Sequence, residues 1–139
     1  MRKILLIISF LIAGFFSSAQ SDSWKIKLNG KQILSTDKED TLKNIKKIKL
    51  TEWKKTGFLE IAVKEAFPEK WLRSFQFRDE QENELLRKDS VSFFKIPSAA
   101  LYKLFKNKKE IRIYSTTDPK NPMMMASSHI VHLCTLRLK

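Results

Sequence analysis

Residues 24–35 read WKIKLNGKQILS. Trp24, Ile26 and Leu28 alternate with Lys25 and Lys27, and a period of two places the apolar set on one face of a strand and the lysines in water. Asn29-Gly30 then supplies the two positive φ angles of a tight turn, and Gln32 to Ser35 return. The stretch predicts a β-hairpin.

The same alternation recurs along the chain. Ile48 and Leu50 alternate with Lys47 and Lys49, Leu59, Ile61 and Val63 form another inward row, and Phe75 and Phe77 alternate with Ser74, Gln76 and Arg78. Between these rows, Thr36 to Asn44 reads as a polar loop, and Thr51 to Gly57 as one helical turn with Thr51 capping it and Gly57 ending it. Asp79 to Glu84 can turn the chain before Leu85 and Leu86, a second hairpin. Val91 to Ile96 is apolar on both parities, as expected of a strand packed on two sides or of a crossover. Pro97 to Lys106 is the one short helix, with Leu101, Leu104 and Phe105 at spacings of three and four. Ile111 and Ile113 resume the strand period, and the last strand runs from about His129 to Leu138. Seven or eight short strands without βαβ alternation or internal repeat predict an all-β, antiparallel sandwich of immunoglobulin-like architecture. A small β-barrel is the alternative.

The N-terminus carries Arg2 and Lys3, an apolar run from Ile4 to Ile12 extended to Phe16, and Ser17-Ser18-Ala19. This order predicts a signal peptide over 1–19, cut near Ala19, and a single mature domain over 20–139 in the periplasm or the medium. The apolar segment is short of the roughly 20 residues that span a bilayer, and no second one follows, so no stable membrane insertion is expected. With Cys134 the sole cysteine, no intrachain disulfide can form, and the fold must rest on packing. A monomer is expected, unless an exposed Cys134 pairs between chains.

Of 27 basic and 15 acidic side chains, two basic ones belong to the leader, which leaves 25 against 15 and a mature charge of +10. Such a surplus favours acidic partners. Export, the excess of lysine over arginine and the absence of a recognisable module argue against nucleic acid. One binding mode is therefore electrostatic docking on acidic envelope polymers or lipid head groups through Lys25, Lys27, Lys47 and Lys49.

The second candidate is the loop from Thr116 to Ser128, which holds Met123, Met124 and Met125 between Pro122 and Ala126. Three consecutive methionines cannot all face inward. Either the loop folds back to plug the end of the sandwich, or it offers a flexible thioether surface to a protein partner, with Lys120 at the rim. The third candidate is copper handling by the methionines with His129, His132 and Cys134, soft and borderline donors that suit that metal. In a regular strand His129 and His132 fall on opposite faces, whereas His132 and Cys134 share one with Ile130, Leu136 and Leu138. That face makes Cys134 most simply a small buried hydrophobe and His132 a core or edge histidine. Trp24 and Trp53 read as packed and Trp71 as the exposed tryptophan. No G-x-S-x-G motif occurs and no nucleophile, base and orienting group converge in the pattern, so a non-catalytic protein without a cofactor is expected.

Overall fold

The computed structural model describes residues 21–49 and 56–139; the segment 1–19 expected to be a signal peptide, the expected Thr51 cap and Trp53 lie outside the described residues. The described chain runs β1 (Ser23–Leu28), β2 (Lys31–Thr36), β3 (Ile45–Ile48), β4 (Phe58–Lys64), β5 (Trp71–Arg78), β6 (Glu84–Asp89), β7 (Phe93–Pro97), α1 (Ser98–Leu104), β8 (Glu110–Pro119) and β9 (His129–Leu138). Nine strands are described where seven or eight were expected.

The strands build two sheets, ordered β2-β1-β4-β7 and β3-β9-β8-β5-β6. Each sheet keeps two edges, so the barrel alternative does not hold and the architecture is a sandwich. Pairing is antiparallel throughout, except that β3 lies parallel to β9, Ile45 opposite Thr135 and Ile48 opposite Leu138. In strand order, β1, β4 and β7 take the A, B and E places of an immunoglobulin-like sandwich, and β5, β8 and β9 take C, F and G. The helix bridges the sheets before the penultimate strand, as the pattern predicted.

The alternation seen in the sequence builds the core. Trp24, Ile26, Leu28, Leu59 and Ile61 of one sheet meet Phe75, Phe77, Ile111, Ile113 and Leu136 of the other, all of them buried. Removing each such side chain from water contributes about 2 kcal/mol, and no disulfide supplements this. Phe94 of β7 reaches across the layers, stacked on Phe75 at 6.5 Å and edge-on to Phe77 at 5.9 Å. In the first hairpin Asn29 has φ 52° and Gly30 φ 80°, the two positive angles the turn demanded.

Local details refine these readings. Of the two readings of Val91 to Ile96 the crossover holds: the Val91 amide donates to Arg73 O of the larger sheet and Ser92 O accepts the Val63 amide of the smaller one, and β7 begins at Phe93, which is 52% exposed because β7 is an edge strand with a solvated outer face. Pro97 is the N-cap of α1, beside the first turn where the pattern placed it, and the helix is held by burial of Leu101 and Phe105. A Cβ added at Gly57 would meet the side chains of Asn29 and Ser98, which would have to shift to admit it. Finally, β8 extends to Pro119, shortening the loop expected over 116–128 to 120–128. Pro119 is tolerated because the β9 ladder starts at Thr117 opposite His129, which leaves Pro119 paired only with Trp71 of β5.

Candidate functional site

One end of the sandwich gathers the start of β1, the segment after β2, the β4–β5 and β6–β7 connections and the β8–β9 loop. The sheets hold the bases of these segments, the usual arrangement for a recognition surface. Between them opens a cleft of about 520 Å³, lined by Asp22, Asp37, Glu39, Phe67, Trp71 and His129, with Trp24 and Val131 among its further walls. Trp71 and His129 meet edge to face with centroids 6.4 Å apart. Trp71 is half-buried, not freely exposed, because this contact and the cleft wall cover part of its ring.

Arg73 ties this end together. It sits on the inner face of β5 with its side chain only 5% exposed. Its Nε donates to Glu65 Oε1 at 2.9 Å, and its two terminal nitrogens donate to Ser115 Oγ and Asp22 Oδ2. Asp22 Oδ1 in turn accepts the Ala66 amide at 2.9 Å. A buried guanidinium is tolerable only when acceptors replace its water, and here three do. The start of β1, the end of β4, β5 and β8 are thereby pinned beside the cleft.

The methionine loop stands next to this cleft and does not plug it. Its base is fixed: the Lys120 amide donates to Lys70 O at 3.0 Å, Lys120 Nζ to Pro68 O at 3.1 Å, and Ser128 Oγ to Asp118 Oδ1. Asn121 Oδ1 accepts the Met123 amide at 2.9 Å, a side-chain turn that reverses the chain at the tip. Met123 is 86% and Met125 105% exposed, while Met124 is half-buried. Phe67, Leu72 and Ile130 add exposed apolar surface at the same end. Lys120, expected at the rim, is engaged with the β4–β5 connection.

The structure separates the copper candidates. Cys134 pairs with Ile113 but His132 pairs with Tyr114, so Leu133 is the extra residue of a β-bulge. Ile113 and Tyr114 point to opposite faces, and their partners follow. His132 and Cys134 therefore lie on opposite faces, contrary to the shared face a regular strand would give. Cys134 is buried, and burial pushes its thiol up to about 12. His132 packs edge-on to Tyr114 at 5.5 Å, its Nε2 is 2.8 Å from Thr135 Oγ1, and its amide donates to Glu39 Oε1 at 2.7 Å. Burial holds the imidazole below its ordinary value. Among the described residues no group of three or more His, Cys, Asp or Glu side chains is placed to hold a metal ion.

The lysine rows do not share a surface. Lys25 and Lys27 project from β1 on the outer face of the smaller sheet, whereas Lys47 projects from β3 in the larger one, opposite Arg137. Lys49 follows β3. A denser basic site lies at the far end of the sandwich, where Tyr102, Lys103, Phe105, Lys106, Lys108 and Leu138 line a cleft of about 450 Å³. Lys108 is partly committed there, its Nζ 2.8 Å from Asp79 Oδ2.

The lining residues Asp22, Asp37, Glu39 and Phe67 carried no signal in the sequence pattern, because they come from three separate segments, before β1, between β2 and β3, and between β4 and β5. The run of lysines from 103 to 109 was legible as charge but not as the wall of a cleft. Among the described residues no helix is long and apolar enough to cross a membrane. No protein-family model, curated protein or solved structure matches this chain.

Proposed function

We propose that the chain is an exported, non-catalytic binding protein, a monomer that contacts a protein partner through the loop end of its sandwich. The observation that carries this reading is the near-complete exposure of Met123 and Met125 on a loop whose base is hydrogen-bonded to its neighbours. Flexible thioether side chains on a fixed base present adaptable apolar contact area at small cost in backbone ordering. Leu72, Phe67 and Ile130 widen the patch, and exposed apolar clusters of this kind mark interaction sites. Export is supported by the basic head, apolar run and small residues of 1–19.

A photoreactive amino acid incorporated at the exposed Ser127, beside the methionine tip, and activated in the native envelope tests this. Capture of one defined protein, abolished by Met123→Ser with Met125→Ser, supports the reading. Capture of an acidic polymer instead, or capture unchanged in the double variant, overturns it.

The basic cleft lined by Lys103, Lys106 and Tyr102 favours a second reading, electrostatic docking on an acidic envelope component. Salt separates the two. Binding through lysines weakens steeply with ionic strength, while methionine-led association persists.

A further inference from the structure

The cleft at the loop end is an acidic island on a basic protein. Asp22, Asp37 and Glu39 line it and, among the described residues, no lysine or arginine does, although the whole chain carries a net charge of +12. Phe67, Trp71 and His129 supply aromatic walls. A ring face and a carboxylate favour the same guest, a cation on an apolar stem. The carboxylates differ in what they have left to offer. Asp22 is spent on Arg73 and Ala66, and Glu39 is positioned by the His132 amide at 2.7 Å through one oxygen. Asp37 has no hydrogen-bond or ion-pair partner among the described residues. Outside the lining, Lys70 holds its ammonium 5.8 Å from the centroid of the Phe67 ring.

We propose that this cleft receives an arginine or lysine side chain of the protein partner, seated between Phe67 and Trp71 and against Asp37 and Glu39. The proposal rests on the partner-binding reading and specifies the chemistry that enters beside the methionines. Apolar contact then comes from Met123 and Met125, and discrimination from the cleft, which penalises a neutral or acidic side chain at that place.

The purified protein is titrated with N-acetyl-arginine amide and N-acetyl-lysine amide, with N-acetyl-citrulline amide as the neutral isostere. The tryptophan indole resonances are followed by NMR, that of Trp71 being assigned with Trp71→Phe. A saturable shift of the Trp71 signal with the cationic probes and none with citrulline is expected. Asp37→Asn with Glu39→Gln, on an exposed connection away from the core, weakens binding by about tenfold, the equivalent of about 1.4 kcal/mol. An equal response to citrulline, or unchanged affinity in that double variant, overturns the proposal. Met123→Ser with Met125→Ser leaves probe binding intact while abolishing partner capture. Capture that survives undiminished in the Asp37→Asn, Glu39→Gln protein overturns the cleft proposal and leaves the methionine surface standing.

Discussion

The indole Nε1 of Trp24 donates a 3.1 Å hydrogen bond to the backbone oxygen of Leu133, 109 residues further along the chain. Trp24 belongs to the inner face of the smaller sheet, and Leu133 is the bulged residue of β9 in the larger one. A bulge takes its extra residue out of the ladder and leaves backbone groups in need of a partner. Trp24 supplies a donor from the opposite layer, so the bond clamps the sheets at the point where β9 changes register.

Trp24→Phe keeps most of the apolar burial and deletes the donor. A buried carbonyl left unsatisfied costs about 1–3 kcal/mol, and the urea midpoint should fall accordingly. Chemical denaturation with an unchanged slope checks this; a loss below experimental error would show that the bond contributes nothing.

Arg73→Met removes the buried cation and leaves Glu65, whose side chain is only 13% exposed, without its ion-pair partner. Breaking a buried pair from one side costs about 3–5 kcal/mol, and the lower part of that range is expected because Asp22 keeps 38% of its side chain in solvent. Combining Arg73→Met with Glu65→Leu should recover part of the loss. A double-mutant cycle in chemical denaturation measures the coupling.

Asp79 is a buried carboxylate that accepts from the amides of Gln81 and Asn83, both at 2.9 Å, and from Lys108 Nζ at 2.8 Å. The Lys108 hydrogen bond is the largest cause holding its carboxyl well below the usual range, with the Asn83 and Gln81 contacts adding to it. A carboxylate lowered by folding contributes stability that is complete above its unfolded value and is lost as pH falls through the folded one. Urea midpoints should therefore drop progressively below about pH 4. Asp79→Asn should lower stability at neutral pH and flatten that acid limb.

His132 produces a second pH dependence at a higher range. Burial disfavours its charged form, outweighing the attraction of Glu39 and Glu82, with Arg112 acting in the same sense as burial. The unfolded chain then binds a proton near pH 6.5 that the folded chain does not, and stability falls as pH drops below that value. His132→Asn should remove the slope between pH 8 and 5, read by denaturation at fixed ionic strength.

Cys134 should be inert in the folded protein. Its burial and raised thiol predict that alkylation follows unfolding rather than reagent concentration, and that freshly prepared protein runs as a single species without reductant. Rapid labelling under native conditions, or a covalent dimer, would contradict this.

Period-two alternation is a property of neighbouring residues, and it was enough to place the first hairpin, the inward rows of β4, β5 and β8 and the bounds of β9, while apolar spacings of three and four placed the helix before β8. Asn29-Gly30 announced its turn because few other pairs accept two positive φ angles. The exposed methionines followed from the same logic, since consecutive side chains in a loop cannot share one inward direction. The cleft was invisible along the chain: Asp22, Asp37, Phe67, Trp71 and His129 come from separate segments that meet because two sheets stack and bring their loops to one end. His132 and Cys134 show the limit most plainly. Their spacing of two implied one face, but the pairing of Ile113 and Tyr114 across the ladder inserted Leu133 between registers and sent them apart. Local pattern specifies which residues seek burial; which strand lies opposite, and in what register, depends on packing between segments far apart in sequence.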